Sequence, residues 1–153
     1  VKPKLDFNLK LVKLKREKPQ FKNLKYKKIL SYLSKMDNSK SDIALVSNKK
    51  ILETGTSNLL FVKNQKFFTP KKDYYEGNTY KFFKTKIKRI GKKDILLKEL
   101  NDYDEILLIG SGKGVTSVRT INELNWKRKN LNKFKFLSNQ YNVAINECHT
   151  YKF

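Results

Sequence analysis

Four separated stretches of this 153-residue chain carry groups that could act together. Lys22 lies in Phe21-Lys22-Asn23-Leu24, where a helix is expected to begin. A lysine amine desolvated among apolar neighbours has a lowered pKa and can form a Schiff base with a carbonyl. Glu53 follows 31 residues later and opens the stretch ETGTSNLLFVKNQKFFTP, Glu53 to Pro70. Two further stretches can present backbone N–H groups to an anion. One is the expected helix start at Gly77-Asn78-Thr79, where free N–H groups and the helix dipole favour negative charge. The other is the turn Gly110-Ser111-Gly112-Lys113-Gly114.

Each signal is weak alone. A lone Glu at a hairpin entrance is usually a solvated surface group. The glycine-rich turn is neither a GxxxxGK[ST] loop nor a dinucleotide fingerprint, because the β-branched VTSVRTI that follows reads as strand. Taken by itself it is a strand–turn–strand. Together, a reactive lysine, a carboxylate and two phosphate cradles form the set that a pyridoxal-phosphate site needs. The amine holds the cofactor aldehyde, the carboxylate keeps the pyridine nitrogen protonated, and the cradles hold the phosphate.

The positioning elements follow from periodicity. Leu5 to Val12 alternates apolar and polar within a lysine-rich segment, which predicts an interdomain arm or edge strand over residues 1–20. Leu24, Ile29, Leu30, Leu33 and Met36 predict a helix over 22–36. Strands are expected at 43–46 and 51–53, joined by the turn Ser47-Asn48-Lys49-Lys50, then a β-hairpin turning at Asn64-Gln65 and ending at Thr69-Pro70. Thr79, Phe82, Phe83, Ile87 and Ile90 predict a helix stopped by Gly91, with Asn78 or Thr79 as its cap. A short helix is expected over 94–100, strands over 105–109 and 115–121, and a last helix over 130–147 burying Phe134, Leu137, Tyr141 and Ile145. The layout is α+β, with strands in the middle and helices outside.

Composition narrows the class. The chain is 39% hydrophobic and 12% aromatic, enough for a core in one domain. Its 35 Lys+Arg against 14 Asp+Glu leave a net charge of +21. That charge admits a non-catalytic module binding nucleic acid or another polyanion. Against it, four of the 35 are Arg, and the basic residues spread evenly along the chain. Nucleic acid is therefore not the expected partner. The single cysteine, Cys148, excludes an internal disulfide and fits a reducing, cytoplasmic setting. One His and one Cys make a His/Cys zinc site improbable, and no metal is expected. The sequence has no apolar run of membrane-spanning length and no signal-peptide pattern.

With these stretches in order, the sequence resembles the class IV, fold-type IV pyridoxal-phosphate enzymes, which include branched-chain and D-amino-acid aminotransferases and aminodeoxychorismate lyase. Lys22-Asn23-Leu24-Lys25-Tyr26 resembles the family's Lys-x-x-x-Tyr. Glu53 to Pro70 resembles its E-x-x-x-S-N strand, turn and Thr-Pro. Gly77-Asn78-Thr79-Tyr80 resembles its Gly-Ile-Thr-Arg helix start, with Tyr80 in place of Arg. Ile109 to Val118 resembles its strand, SGT loop and VTPV segment.

The resemblance implies a fold-type IV large domain over residues 21–153, with a mixed sheet or pseudo-barrel flanked by helices. It implies pyridoxal 5'-phosphate as cofactor and a homodimer acting on a small amino acid or keto acid. Lys22 would be the Schiff-base lysine and proton shuttle, Glu53 the partner of the pyridine N–H, and Tyr26 a neighbour of the ring hydroxyl. Asn78, Thr79, Gly110 and Ser111 would bind the phosphate. An aminotransferase is the broader expectation, with 4-amino-4-deoxychorismate lyase the alternative. The family's smaller N-terminal domain, which supplies an Arg to the phosphate, is expected to be absent from this chain.

Overall fold

The computed structural model describes residues 4–13, 31, 34–35, 41–54, 57–71, 78–110 and 114–150. The helix expected over 22–36 falls almost wholly outside them. Ten strands form one mixed sheet in the order β6-β5-β4-β8-β9-β1-β2-β3-β7, with β10 paired to β9. They are β1 (Lys4–Lys13), β2 (Ser41–Ser47), β3 (Lys50–Thr54), β4 (Asn58–Lys63), β5 (Lys66–Thr69), β6 (Ile90–Lys92), β7 (Ile95–Leu96), β8 (Glu105–Gly110), β9 (Gly114–Ile121) and β10 (Trp126–Lys127). Two α-helices are described outside the sheet, α1 (Asn78–Lys86) and α2 (Asn132–Thr150).

Connectivity shows why the sheet curls. β6 and β7 stand at opposite ends of the strand order, yet only Lys93 and Asp94 separate them in the chain. Lys93 N–H donates to the Thr69 carbonyl at 3.1 Å, and Leu97 N–H donates to the Lys49 carbonyl at 3.0 Å, drawing the two edges together. The result is a pseudo-barrel. Its inside is one apolar cluster drawn from most strands, including Phe7, Ala44, Ile51, Phe61, Leu108 and Val118.

The outer face of β4, β8 and β9 is covered by the helices. Leu60, Leu107, Ile109 and Val115 pack there against Tyr80 and Phe83 of α1 and Phe134 and Leu137 of α2. β4 and β8 read as unbroken apolar runs because each is buried on both faces. Leu59 and Phe61 point into the barrel, and Leu60 and Val62 toward the helices.

Two turns are set by local chemistry. Asn48-Lys49 (φ 51° and 62°) joins β2 to β3, and Asn64-Gln65 (φ 51° and 67°) joins β4 to β5. Two consecutive left-handed residues give the turn whose twist matches paired strands, and Asn tolerates the first position well. β5 ends at Thr69, whose Oγ1 donates to the Leu59 carbonyl at 3.2 Å, and Pro70 then ends the pairing.

Several expectations are corrected. The strand at residues 4–13 is no edge: β1 lies between β9 and β2 and is parallel to both. Its alternation buries Phe7 and Leu9 inside while Asp6 and Lys10 face outward. The helix expected to reach Ile90 stops at Lys86, because Ile90 to Lys92 pairs with β5 as β6. A Cβ at Gly91 would lie 2.8 Å from Phe68 Cδ1, so glycine there serves close strand approach rather than a helix stop. The short helix expected from Asp94 starts later, as β7 followed by a 3-10 helix at Leu97–Asp102. In α2, Phe134 and Leu137 are buried and Tyr141 is half-buried, but Ile145 is exposed.

Candidate functional site

Strand directions bring the described candidates to one end of the sheet. β4 starts there with Asn58, which faces Ile109 of the antiparallel β8. β8 ends there at Gly110, which pairs with Gly114 at the start of β9. Glu53 is the penultimate residue of β3 and faces Leu45 of β2. Its strand reaches the start of β4 through a tight link. Thr54 N–H and Oγ1 both donate to the Ser57 carbonyl (3.3 and 2.8 Å), and Ser57 N–H donates to Thr54 Oγ1 at 2.7 Å. Glu53 therefore belongs to the β2–β3 hairpin, not to the β4–β5 hairpin expected to frame it. The closure of the barrel brings the two together.

Helix α1 reaches the same end by topology. β5 and β6 are parallel neighbours, so the chain leaving β5 must return along the sheet before β6 can start. α1 makes that return, so it starts toward the end of β5, which is the end at which β4 begins. Asn78 and Thr79 occupy its first turn rather than the cap position before it. Among the described residues none in that turn is acidic, and Lys84 and Lys86 in the last turn suit the negative end of the helix dipole.

The second candidate stretch is described at its two ends, Gly110 and Gly114. Gly114 has φ +63°, a left-handed conformation that side chains rarely adopt. A Cβ there would also meet the Tyr141 ring at 2.8 Å. The residues expected from this stretch are Gly110 and Ser111; Gly114 is not among them, although its place in Gly-Ser-Gly-Lys-Gly is a signal for it. These features fit a phosphate monoester bound by backbone N–H groups from two segments.

Lys22, Tyr26 and Ser111 lie outside the described residues. For Glu53 and Asn78 the structure describes the backbone. It thus brings Glu53, Asn78, Thr79 and Gly110 to one end of the sheet. A hollow of about 90 Å³ near the start of β3, lined by Lys50, Ile51, Pro70 and Asp94 among others, is far below the roughly 300 Å³ of a ligand pocket. Among the described residues no group of three His, Cys, Asp or Glu is placed to hold a metal ion. No described helix is long and apolar enough to cross a membrane.

One buried carboxylate lies at the start of β8. Glu105 is fully buried and accepts from Lys133 N–H at 2.9 Å and Phe134 N–H at 3.1 Å, in the first turn of α2. Burial raises its pKa above the usual carboxylate value, partly opposed by these two donors. Its geometry is that of a helix anchor.

The family model for amino-transferase class IV matches residues 3–121. No curated protein matches the chain. Among solved structures, the fold is similar to 4-amino-4-deoxychorismate lyase from Pseudomonas aeruginosa (TM-score 0.69, 19% identity, 88% of this chain and 53% of that one). It is also similar to a branched-chain aminotransferase from Thermoproteus uzoniensis (TM-score 0.72, 15% identity, 88% and 50%). A third similar structure is a branched-chain amino acid aminotransferase from Thermobaculum terrenum in its PLP form (TM-score 0.66, 16% identity, 81% and 45%). The chain spans about half the length of these proteins. The matched segment runs from β1 through β9, well over half of the chain, so the chain belongs to the class IV aminotransferase family of enzymes.

Proposed function

We propose that this chain is the cofactor-binding domain of a pyridoxal-phosphate-dependent aminotransferase acting on an amino acid and a 2-oxo acid. The observation that carries the proposal is the convergence of Glu53, the first turn of α1 and the Gly110–Gly114 turn at one end of the sheet. Pyridoxal phosphate, when bound, supplies the electron sink that loosens the bonds at the substrate Cα. Lys22 supplies the amine that holds the cofactor and moves a proton at Cα. Glu53 keeps a proton on the pyridine nitrogen. The N–H groups of Asn78 and Thr79, with those of Gly110 and Ser111, hold the phosphate. Tyr26 orients the ring through its hydroxyl. The small-molecule substrate and a homodimer are part of the same proposal.

Elimination of pyruvate, as in a 4-amino-4-deoxychorismate lyase, is the second reading, supported by the fold likeness to such a lyase. Added pyridoxal phosphate should give a visible absorbance band that Lys22→Ala abolishes without loss of fold. A band that survives Lys22→Ala removes Lys22 from its role. Aspartate, branched-chain and aminodeoxychorismate substrates then separate transfer from elimination, since the lyase alone releases pyruvate.

A further inference from the structure

We infer that Tyr141 is a positioning residue that sets the spacing of the two phosphate-holding segments; the inference rests on the cofactor reading above. A phosphate held by two separate stretches of backbone needs their separation kept within a few tenths of an ångström, because hydrogen bonds weaken steeply with geometry. Neither stretch fixes that separation alone. Residues 87–89 join α1 to β6 outside any ladder, and the other stretch links the ends of β8 and β9.

Tyr141 touches both sides. Its ring lies where a Cβ on Gly114 would stand, with Cε1, Cδ1 and Cζ at 2.8, 3.2 and 3.3 Å from that point. The same ring packs on Phe83 of α1, centroid to centroid at 5.9 Å and 34° between planes. Phe83 is fully buried and lies one turn into the helix from Tyr80, which is also buried. A push on the ring is therefore passed to α1 on one side and to the β8–β9 turn on the other. The glycine lets the ring approach because it has no Cβ to meet it.

The ring is held from behind. α2, which carries Tyr141, is anchored at its start by the Glu105 carboxylate and by buried Phe134 and Leu137. Tyr141 lies beyond the segment that the family model matches, which ends at residue 121. The last helix is thus a working part of the site.

The test compares dissociation constants of pyridoxal phosphate and pyridoxal for the wild type, Tyr141→Phe and Tyr141→Leu. The wild type prefers the phosphate-bearing ligand. Tyr141→Leu should lose about tenfold of that preference, the equivalent of one charge-assisted hydrogen bond, with pyridoxal binding within about twofold of wild type. Tyr141→Phe keeps the ring and should keep the preference. Equal weakening of both ligands, or an unchanged ratio, overturns the inference. If Tyr141→Leu does not fold, Gly114→Ala puts a Cβ against the ring and is read by the same ratio. A wild type that binds neither ligand refutes the cofactor reading itself, and this inference with it.

Discussion

Removing the Glu105 carboxylate should loosen α2 at its root. The two oxygens accept separate backbone N–H groups, from Lys133 and Phe134, at 2.9 and 3.1 Å in a site without solvent. Hydrogen bonds to a charged group contribute about 1.5–3 kcal/mol each. Part of that is offset by the cost of keeping a carboxylate out of water, the cost that raises its pKa. Glu105→Ala should therefore lower stability by about 2–4 kcal/mol, a drop in Tm of roughly 5–12 °C for a domain of this size. Urea unfolding followed by circular dichroism measures it. A loss under about 0.5 kcal/mol would show that water or the Lys133 side chain replaces the carboxylate at no cost, and would refute the anchor.

The pH dependence has a definite sign. A folded-state pKa raised above the unfolded value means the fold favours the protonated form. That contribution is fully present below the unfolded pKa and is lost as pH rises through the folded pKa. Glu105→Gln cannot titrate, so the stability of wild type relative to Glu105→Gln should fall as pH rises through the window above 4.5. A gap that is flat or widens with pH contradicts the buried, strained carboxylate.

Three other perturbations test separate parts of the structure. Glu53→Gln in the active enzyme should leave pyridoxal phosphate bound and lower kcat about a hundredfold, the scale of a positioned proton-holding group; unchanged turnover would return Glu53 to a structural role. Gln65→Gly relieves a left-handed non-glycine residue (φ 67°) and should stabilise by about 0.5 kcal/mol in thermal unfolding, since part of the relief is offset by greater freedom of the unfolded chain. Gly91→Ala drives a methyl to 2.8 Å from the Phe68 ring, which itself packs edge-on to Tyr103. It should cost about 1–3 kcal/mol, and a neutral result in urea would mean the ring moves freely.

The two hairpins and the buried β8 strand were legible because their signals are local. Asn at the first turn position, alternation or unbroken apolar runs, and a closing Pro all act within a few residues. The end of α1 was not legible. Ile87 and Ile90 continue the helical spacing, and Ile87 does reach the same core. Only the edge of β5, open to a parallel partner, draws Ile90 to Lys92 into strand. Ile145 followed the apolar spacing of α2 but faces outward, because the helix runs past the sheet that covers its first turns.

The candidate site divides along the same line. Sequence alone determined which groups are available: a lysine at an expected helix start, a carboxylate 31 residues on, and two glycine-flanked stretches of free N–H groups. Residue type and short spacing carry that chemistry. Tertiary structure decided where the described groups meet. β1 became an inner strand because β9 and β2, distant from it in sequence, pair along its two sides. Glu53 came to the start of β4 because β3 and β4, far apart in strand order, are joined by three residues and must curl to meet. The contact of Tyr141 with Gly114 and Phe83 joins residues 27 and 58 positions away in the chain, and no local pattern encodes it. It exists only once the sheet is curved and its outer face needs covering.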